Sequence, residues 1–439
     1  MMRNFLLMLF SLLAFTACHE GEDPDYYKKK NKEQIDRTVL VYISGENNLH
    51  EFISEELSQL RKGSIGIGSN ALVVYVDNAN AQQPPYIVRY KEGEAVDYTA
   101  MEKDTLSSSP DVLSDVLNYT SEHYTAKEYG LVLWGHASGW LLEDSVSAAD
   151  SRRAYGVDNG HNTLSSTGKW LNIHSLSKTL GKWQHLKFIF ADCCQFQCIE
   201  SAYELRNNAD YIIASPSEIP GVGAPYSTLT KGLFDSSDSF YRSIVDAYFS
   251  QVISVNYQSF AMMSYQARTP FSVIKTSELD KLAAATNTVL HSFLPLGDAP
   301  WPDLQNEKLI YYYGNISKVK ENLMYDMNDV ILNYAPTEAY EQWKEAFDKA
   351  IIYKVNAKEG WMTNKQILPY VFGRDDAGGI ISPILTDERF GGVSMFVPQD
   401  RPDSHYLPFV KNNVKHNGYN ADIKQTAWYY AARLYELGW

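Results

Sequence analysis

Residues Leu186–Leu205 read LKFIFADCCQFQCIESAYEL. The opening seven, Leu186–Asp192, are apolar almost without interruption, which predicts a strand covered on both faces. From Ile199 the apolar spacing turns helical and runs until Asn207-Asn208 stops it. Between strand and helix stand Cys193, Cys194 and Cys198, three of the chain's four cysteines. Their spacing offers no second ligand pair for a structural zinc, and bridges among them would close no useful loop. Taken singly, each also reads as a small buried hydrophobe. A cysteine between strand and helix would meet the positive end of the helix dipole, so a lowered thiol pKa is expected there.

The same alternation extends in both directions. RTVLVYIS (37–44), ALVVYVD (71–77) and YIIAS (211–215) read as further buried strands. ISEELSQLRKG, SPDVLSDVLNYTSEHY and LNIHSLSKTLG read as helices, with a Ser-Pro start on the second and a closing Gly63 and Gly181 on the others. YIVRYKEGEAVDYT predicts a hairpin turning at Glu92-Gly93. Strands alternating with helices predict an α/β fold with a mostly parallel sheet flanked by helices, and function gathers beyond the carboxyl ends of such strands. YGLVLWGHASGW (129–140) ends a strand at His136, between Gly135 and Gly139. Leu142–Ser166 reads as an exposed loop carrying Arg152-Arg153. Beyond about Thr276 the chain is more helical, with SELDKLAAATNTVLHSFL, APTEAYEQWKEAFDKAIIY, a strand GGVSMFVP and a final aromatic helix.

At 439 residues, 45% hydrophobic and 21% charged, the chain has ordinary globular composition, and its net charge of −14 argues against a nucleic-acid partner. Its N-terminus has Arg3, a short apolar run and small residues before Cys18, as a secretory signal does. The FTAC ending resembles a bacterial lipobox, in which the cysteine is lipidated. HEGEDPDYYKKKNKEQ after it reads as a tether. The expected organisation is a lipoprotein signal peptide (1–17), a tether (18–36), a catalytic domain (37–275) and a smaller helix-rich C-terminal region (276–439) that returns a strand to the core. The expected location is the bacterial cell envelope, lipid-anchored at the outer membrane or cell surface.

A cysteine and a histidine on neighbouring strand ends form the constellation of covalent acyl transfer. YGLVLWGHASGW and FADCCQFQCIESAYEL resemble the two signature segments of the clostripain-like cysteine peptidases, relatives of the caspases. Trp134, His136, Ser138, Gly139 and Trp140 match the histidine segment, while Ala137 replaces its usual glycine. Counting back from Glu200 and AYEL places the family nucleophile on Cys194, with Cys193 in place of an alanine. The resemblance implies a caspase-like fold and an endopeptidase acting on proteins or peptides through Cys194 and His136, with backbone N–H groups of Ala137 and Cys194 at the oxyanion. It also implies cleavage after Arg or Lys, with Asp192 in the specificity pocket. Val222 stands where a second acid is expected, and Glu218 is the substitute. Asp192 also reads as a helix cap.

Family members are often cut between the two segments, which makes Arg152-Arg153 the expected self-processing site. The residues themselves require no cofactor; the resemblance adds calcium as a candidate. His161, His174 and His185 lack the strand-end glycine setting and read as surface residues. Two other readings stay open: a caspase-like peptidase of other specificity, and a catalytically silent surface lipoprotein that binds proteins or glycans.

Overall fold

The computed structural model describes residues 34–80, 83–101, 105–141, 155–160, 168–256, 264–294, 310–316, 321–358, 360–363, 366–367, 385–399, 407–411 and 414–439. The signal, Cys18, the tether up to residue 33, Arg152-Arg153 and His161 lie outside them, while Ile35 and Asp36, read as the end of the tether, begin the first strand. Ile35–Trp439 is one compact unit.

In chain order its first fifteen strands are Ile35–Gly45 (β1), Ala71–Asn78 (β2), Tyr86–Lys91 (β3), Glu94–Ala100 (β4), Ala126–Trp134 (β5), Tyr155–Asp158 (β6), Lys169–Leu171 (β7), Leu186–Asp192 (β8), Ala209–Ala214 (β9), Ile253–Asn256 (β10), Ser264–Ala267 (β11), Phe271–Lys275 (β12), Tyr312–Ile316 (β13), Glu321–Asp326 (β14) and Ile351–Val355 (β15). The longer helices are Ile53–Gly63 (α1), Pro110–His123 (α2), Ile173–Leu180 (α3), Ile199–Glu204 (α4), Tyr226–Leu233 (α5), Phe240–Phe249 (α6), Leu279–His291 (α7), Met327–Tyr334 (α8) and Thr337–Ala350 (α9).

Nine strands form one sheet in the order β15-β12-β9-β8-β5-β1-β2-β3-β4. Its five central strands are parallel, and antiparallel strands extend both edges. The alternation of β1 explains its burial: Leu40 and Tyr42 enter one core, while Val39, Val41 and Ile43 enter the other. One face is covered by α1, α5 and α6, through Ile53, Leu60, Leu229, Leu233, Phe240 and Ile244. The other is covered by α2, α3, α4 and α7 with the C-terminal half, through Val116, Leu176, Ile199, Leu282 and Trp343. Both faces are dry, which is why the central strands carry unbroken apolar runs rather than alternating ones. The mostly parallel sheet, flanking helices and more helical C-terminal region match the expectation.

The predicted hairpin is β3–β4, and Glu92 and Gly93 both have positive φ, 49° and 79°, as a two-residue turn between twisted strands requires. The Ser109 side chain accepts a hydrogen bond from Asp111 N–H at the start of α2, as its sequence predicts. Three local readings differ. Leu142–Ser166 is not uniformly loop, because β6 is fully buried and pairs with β7. The helix read through Tyr353 ends at Ala350, and the β-branched Ile351-Ile352 begins an edge strand antiparallel to β12. The closing aromatic segment forms short turns, Ala427–Ala431 and Leu434–Leu437, rather than one helix.

Candidate active site

The register of β5 against β8 builds the site. Trp134 pairs with Asp192, so Gly135-His136 and Cys193-Cys194 leave two adjacent strand ends side by side. A cleft of about 410 Å³ opens there, lined by Leu49, Trp134, Gly135, His136, Asp192, Cys194, Ile219, Pro220, Gly221 and Gly223. Gly135 adopts φ +146°, and a Cβ on it would come within 2.9 Å of the Ser44 carbonyl. Gly139 adopts φ +65°, and a Cβ there would meet the Gln195 carbonyl at 2.8 Å. Both glycines are therefore demanded by close backbone approach at the site.

His136 is half-buried, and its Nε2 lies 2.7 Å from Asn48 Oδ1. Ala137 pairs with Tyr155 as an isolated bridge, and Gly156 N–H donates to the His136 carbonyl at 2.8 Å. Strand β6 thus braces the histidine segment from behind. Ala137 itself does not line the cleft. The exposed His174 and His185 pair with Glu204 and Asp210, at 2.8 and 2.9 Å.

Of the three cysteines, Cys193 and Cys198 are buried and Cys194 alone is half-exposed. The helix-dipole expectation fails for it. The α4 helix starts at Ile199 with Cys198 as its cap residue, while Cys194 sits in the turn before, followed by Gln195 at φ 55°. Burial, then the charge of Glu218, push its thiol up to about 12, and the Ile219 N–H at 3.4 Å opposes them. The thiol's hydrogen bonds among the described residues are both to Ile219, not to His136. It is protonated at neutral pH.

Asp192 is fully buried and does not cap a helix. Its carboxylate accepts from Ala224 N–H at 2.9 Å and from the hydroxyls of Tyr226 and Tyr248 at 2.8 and 3.1 Å. Burial pushes its pKa up to about 6, against the pull of those donors. Beneath it stands Glu56 on α1, a residue the sequence reading passed over. Glu56 is 1% exposed with Ile53, Leu60 and Gly63 on the inward stripe of the helix. Burial, then the Asp192 charge, push it up to about 10, so the pair holds one proton at neutral pH, on Glu56. Gly223, at φ +61°, is the lid on this pair: a Cβ there would lie 2.5 Å from Glu56 Oε1 and 3.1 Å from Asp192 Oδ2. Glu218 bridges Met362 through its backbone and is not a lining residue, and Val222 points outward, 57% exposed.

The sequence profile of the clostripain family (peptidase C11) matches residues 41–436. The chain belongs to the clostripain family of cysteine peptidases. A solved structure of a secreted C11 cysteine protease from Bacteroides thetaiotaomicron, in complex with an irreversible peptide inhibitor, is similar with a TM-score of 0.66 and 28% identity, over 90% of this chain and 98% of that one. An inactive zymogen C11 protease from Parabacteroides distasonis shares the fold, with a TM-score of 0.59 and 24% identity, over 91% of this chain and 98% of that one. Clostripain from Hathewaya histolytica is 21% identical over 228 residues, 46% of this chain and 43% of clostripain's length. The chain therefore spans less than half of that relative.

Proposed function

We propose that this chain is an endopeptidase that cleaves after Arg or Lys, with Cys194 as nucleophile and His136 as proton carrier. One observation carries the reading: the Trp134–Asp192 register sets a half-exposed thiol, an imidazole and a buried carboxylate around one cleft. The side chain before the scissile bond enters that cleft and its cation meets the ionised Asp192, with protonated Glu56 behind it. A guanidinium and a carboxylate out of water make a strong and selective pair.

Because the resting thiol is protonated, His136 takes its proton as the sulfur attacks the carbonyl carbon, rather than holding a standing ion pair. Backbone N–H groups of Cys194 and Ala137 are assigned to the oxyanion. Collapse of the tetrahedral intermediate breaks the C–N bond, His136 returns the proton to the leaving amine, and water releases the acyl group from sulfur. Asn48 orients the imidazole through its 2.7 Å contact with Nε2.

We also propose lipid anchoring through Cys18 and cutting after Arg152 or Arg153. The relative from Bacteroides thetaiotaomicron is described as secreted, which supports placing this chain outside the cytoplasm. Among the described residues no helix is long and apolar enough to cross a membrane. The test of the central reading is hydrolysis of Arg-, Lys- and Asp-ended fluorogenic peptides by wild type and Cys194→Ala. Arg and Lys peptides should be cut and Asp peptides not, with all cleavage lost in the variant. Equal cleavage of the three, or activity surviving in Cys194→Ala, would sink it.

A further inference from the structure

Asp192 is the only acid among the residues lining the cleft, and most of its accepting capacity is already taken. Each carboxylate oxygen has two lone-pair positions. Oδ2 fills both, with Ala224 N–H at 2.9 Å and the Tyr226 hydroxyl at 2.8 Å. Oδ1 fills one, with the Tyr248 hydroxyl at 3.1 Å. A single position, on Oδ1, is left for a substrate cation.

These donors are fixed in place. The two on Oδ2 come from one turn at the start of α5, closed by Tyr226 N–H on the Ala224 carbonyl at 2.8 Å. Tyr226 is fully buried, and Gly223 packs so close that a Cβ on it would lie 3.1 Å from Oδ2. Tyr248 on α6 is buried too, with its ring 4.4 Å from that of Phe271 and 6.3 Å from that of Phe190.

A guanidinium gains over an ammonium when it forks across a carboxylate, one N–H to each oxygen. Asp192 has no position on Oδ2 for that fork. A guanidinium would meet Oδ1 end-on, with four of its five N–H groups still to place, whereas an ammonium would have two. The other walls accept little. Leu49, Ile219 and Pro220 have apolar side chains, Trp134 has only a donor, and the Pro220 carbonyl already takes Gly223 N–H. Val222 is exposed and apolar, and Glu56 is sealed under Gly223. The weaker hydration of a guanidinium favours Arg where the fork can form. Here the unplaced donors outweigh it.

We infer that Tyr226 and Tyr248 set the specificity of the cleft, making Asp192 a one-point acceptor that takes Lys ahead of Arg before the scissile bond. The inference rests on the proposed roles of Cys194 and Asp192, and ranks the two cations that reading admits. Specificity is then decided by two helices packed behind the site, not only by the residues that line it.

The test measures kcat/KM at pH 8 for two fluorogenic peptides that differ only in Lys or Arg before the scissile bond. Wild type should favour Lys about tenfold, the worth of one hydrogen bond to a charged group. Tyr226→Phe frees a position on Oδ2 and restores the fork, so the Lys-to-Arg ratio should fall to about one or below. Tyr248→Phe, which frees a position on Oδ1, is the second variant and should move the ratio the same way. Losses common to both peptides, from altered packing or a shifted carboxylate pKa, cancel in the ratio. Equal or faster cleavage of the Arg peptide by wild type, or a Lys preference unchanged in both variants, would overturn the inference. Cleavage of neither peptide would sink the reading of the cleft on which it rests, and the inference with it.

Discussion

Two buried acidic groups sit under the carboxyl ends of the same sheet, Asp192 with Glu56 and Glu46 with Asp77 and Asp158. Their composition is alike and their surroundings are opposite. Asp192 has three donors and faces an open cleft across a glycine, while Asp77 is sealed in beside the carboxylates of Glu46 and Asp158. A carboxylate held ionised by fixed donors beside an entrance is poised for a cation that comes and goes. One sealed among its own kind keeps a proton: burial, then the Asp158 charge, push Asp77 up to about 9. Burial alone does not separate the two roles; the donors and the opening do.

The largest expected effect comes from emptying the first group of charge. Asp192→Asn should lower kcat/KM for Arg peptides by about a hundredfold, since a buried partner is then left unpaired. Asp77→Asn should leave the Arg-to-Lys ratio of kcat/KM unaltered. If the two variants change that ratio alike, the comparison collapses.

Closing the entrance is the next test. Gly223→Ala puts a methyl group against both carboxylates and forces a residue with a side chain into φ +61°. Its kcat/KM for Arg peptides should fall about tenfold or more, with a smaller change for a peptide lacking a cation before the scissile bond. Equal losses on both peptides would place the damage elsewhere.

The pH dependence separates binding from stability at one residue. Asp192 is raised to about 6 from 3.8, so between those values the folded chain binds its proton more tightly than the unfolded chain. Its contribution to stability is therefore fully present below about pH 4 and is lost as pH rises through about 6. Cation binding needs the opposite form. KM for Arg peptides should rise as pH falls through about 6, up to tenfold per unit below it, and Asp192→Asn should flatten the profile.

The smallest effect on catalysis is expected at Glu56. Since it carries the proton at neutral pH, Glu56→Gln should change kcat/KM by less than about threefold at pH 7. Its raised pKa means that stability is lost as pH climbs from the usual carboxylate range toward about 10. The glutamine variant should thus be more stable at pH 8, by about 2 kcal/mol in urea unfolding. A large fall in kcat/KM would mean that Glu56 is charged and a direct partner of the substrate.

The strands and the two signature ends were legible because buried parallel strands announce themselves as apolar runs, and Gly135 and Gly139 mark close approach around His136. Glu56 was not legible. In ISEELSQLRKG it looks like any solvated helix glutamate, and only the packing of α1 over the ends of β5 and β8 turns it inward. Asp77 and Asp158 were hidden for another reason: Asp77 is next to last in β2 and Asp158 ends β6, and the fold brings them together from distant parts of the chain. The thiol was misjudged because Cys194 was read as meeting the start of the helix, when a turn of several residues separates it from Ile199.

Covalent labelling tests the central claim most directly. The wild-type chain is treated with electrophilic peptide probes ending in Arg or in Asp, digested, and mapped by mass spectrometry. The account predicts a single adduct on Cys194 from the Arg probe, sharply reduced in Asp192→Asn, and no adduct from the Asp probe. An adduct on Cys193 or Cys198, or equal labelling by both probes, would contradict it.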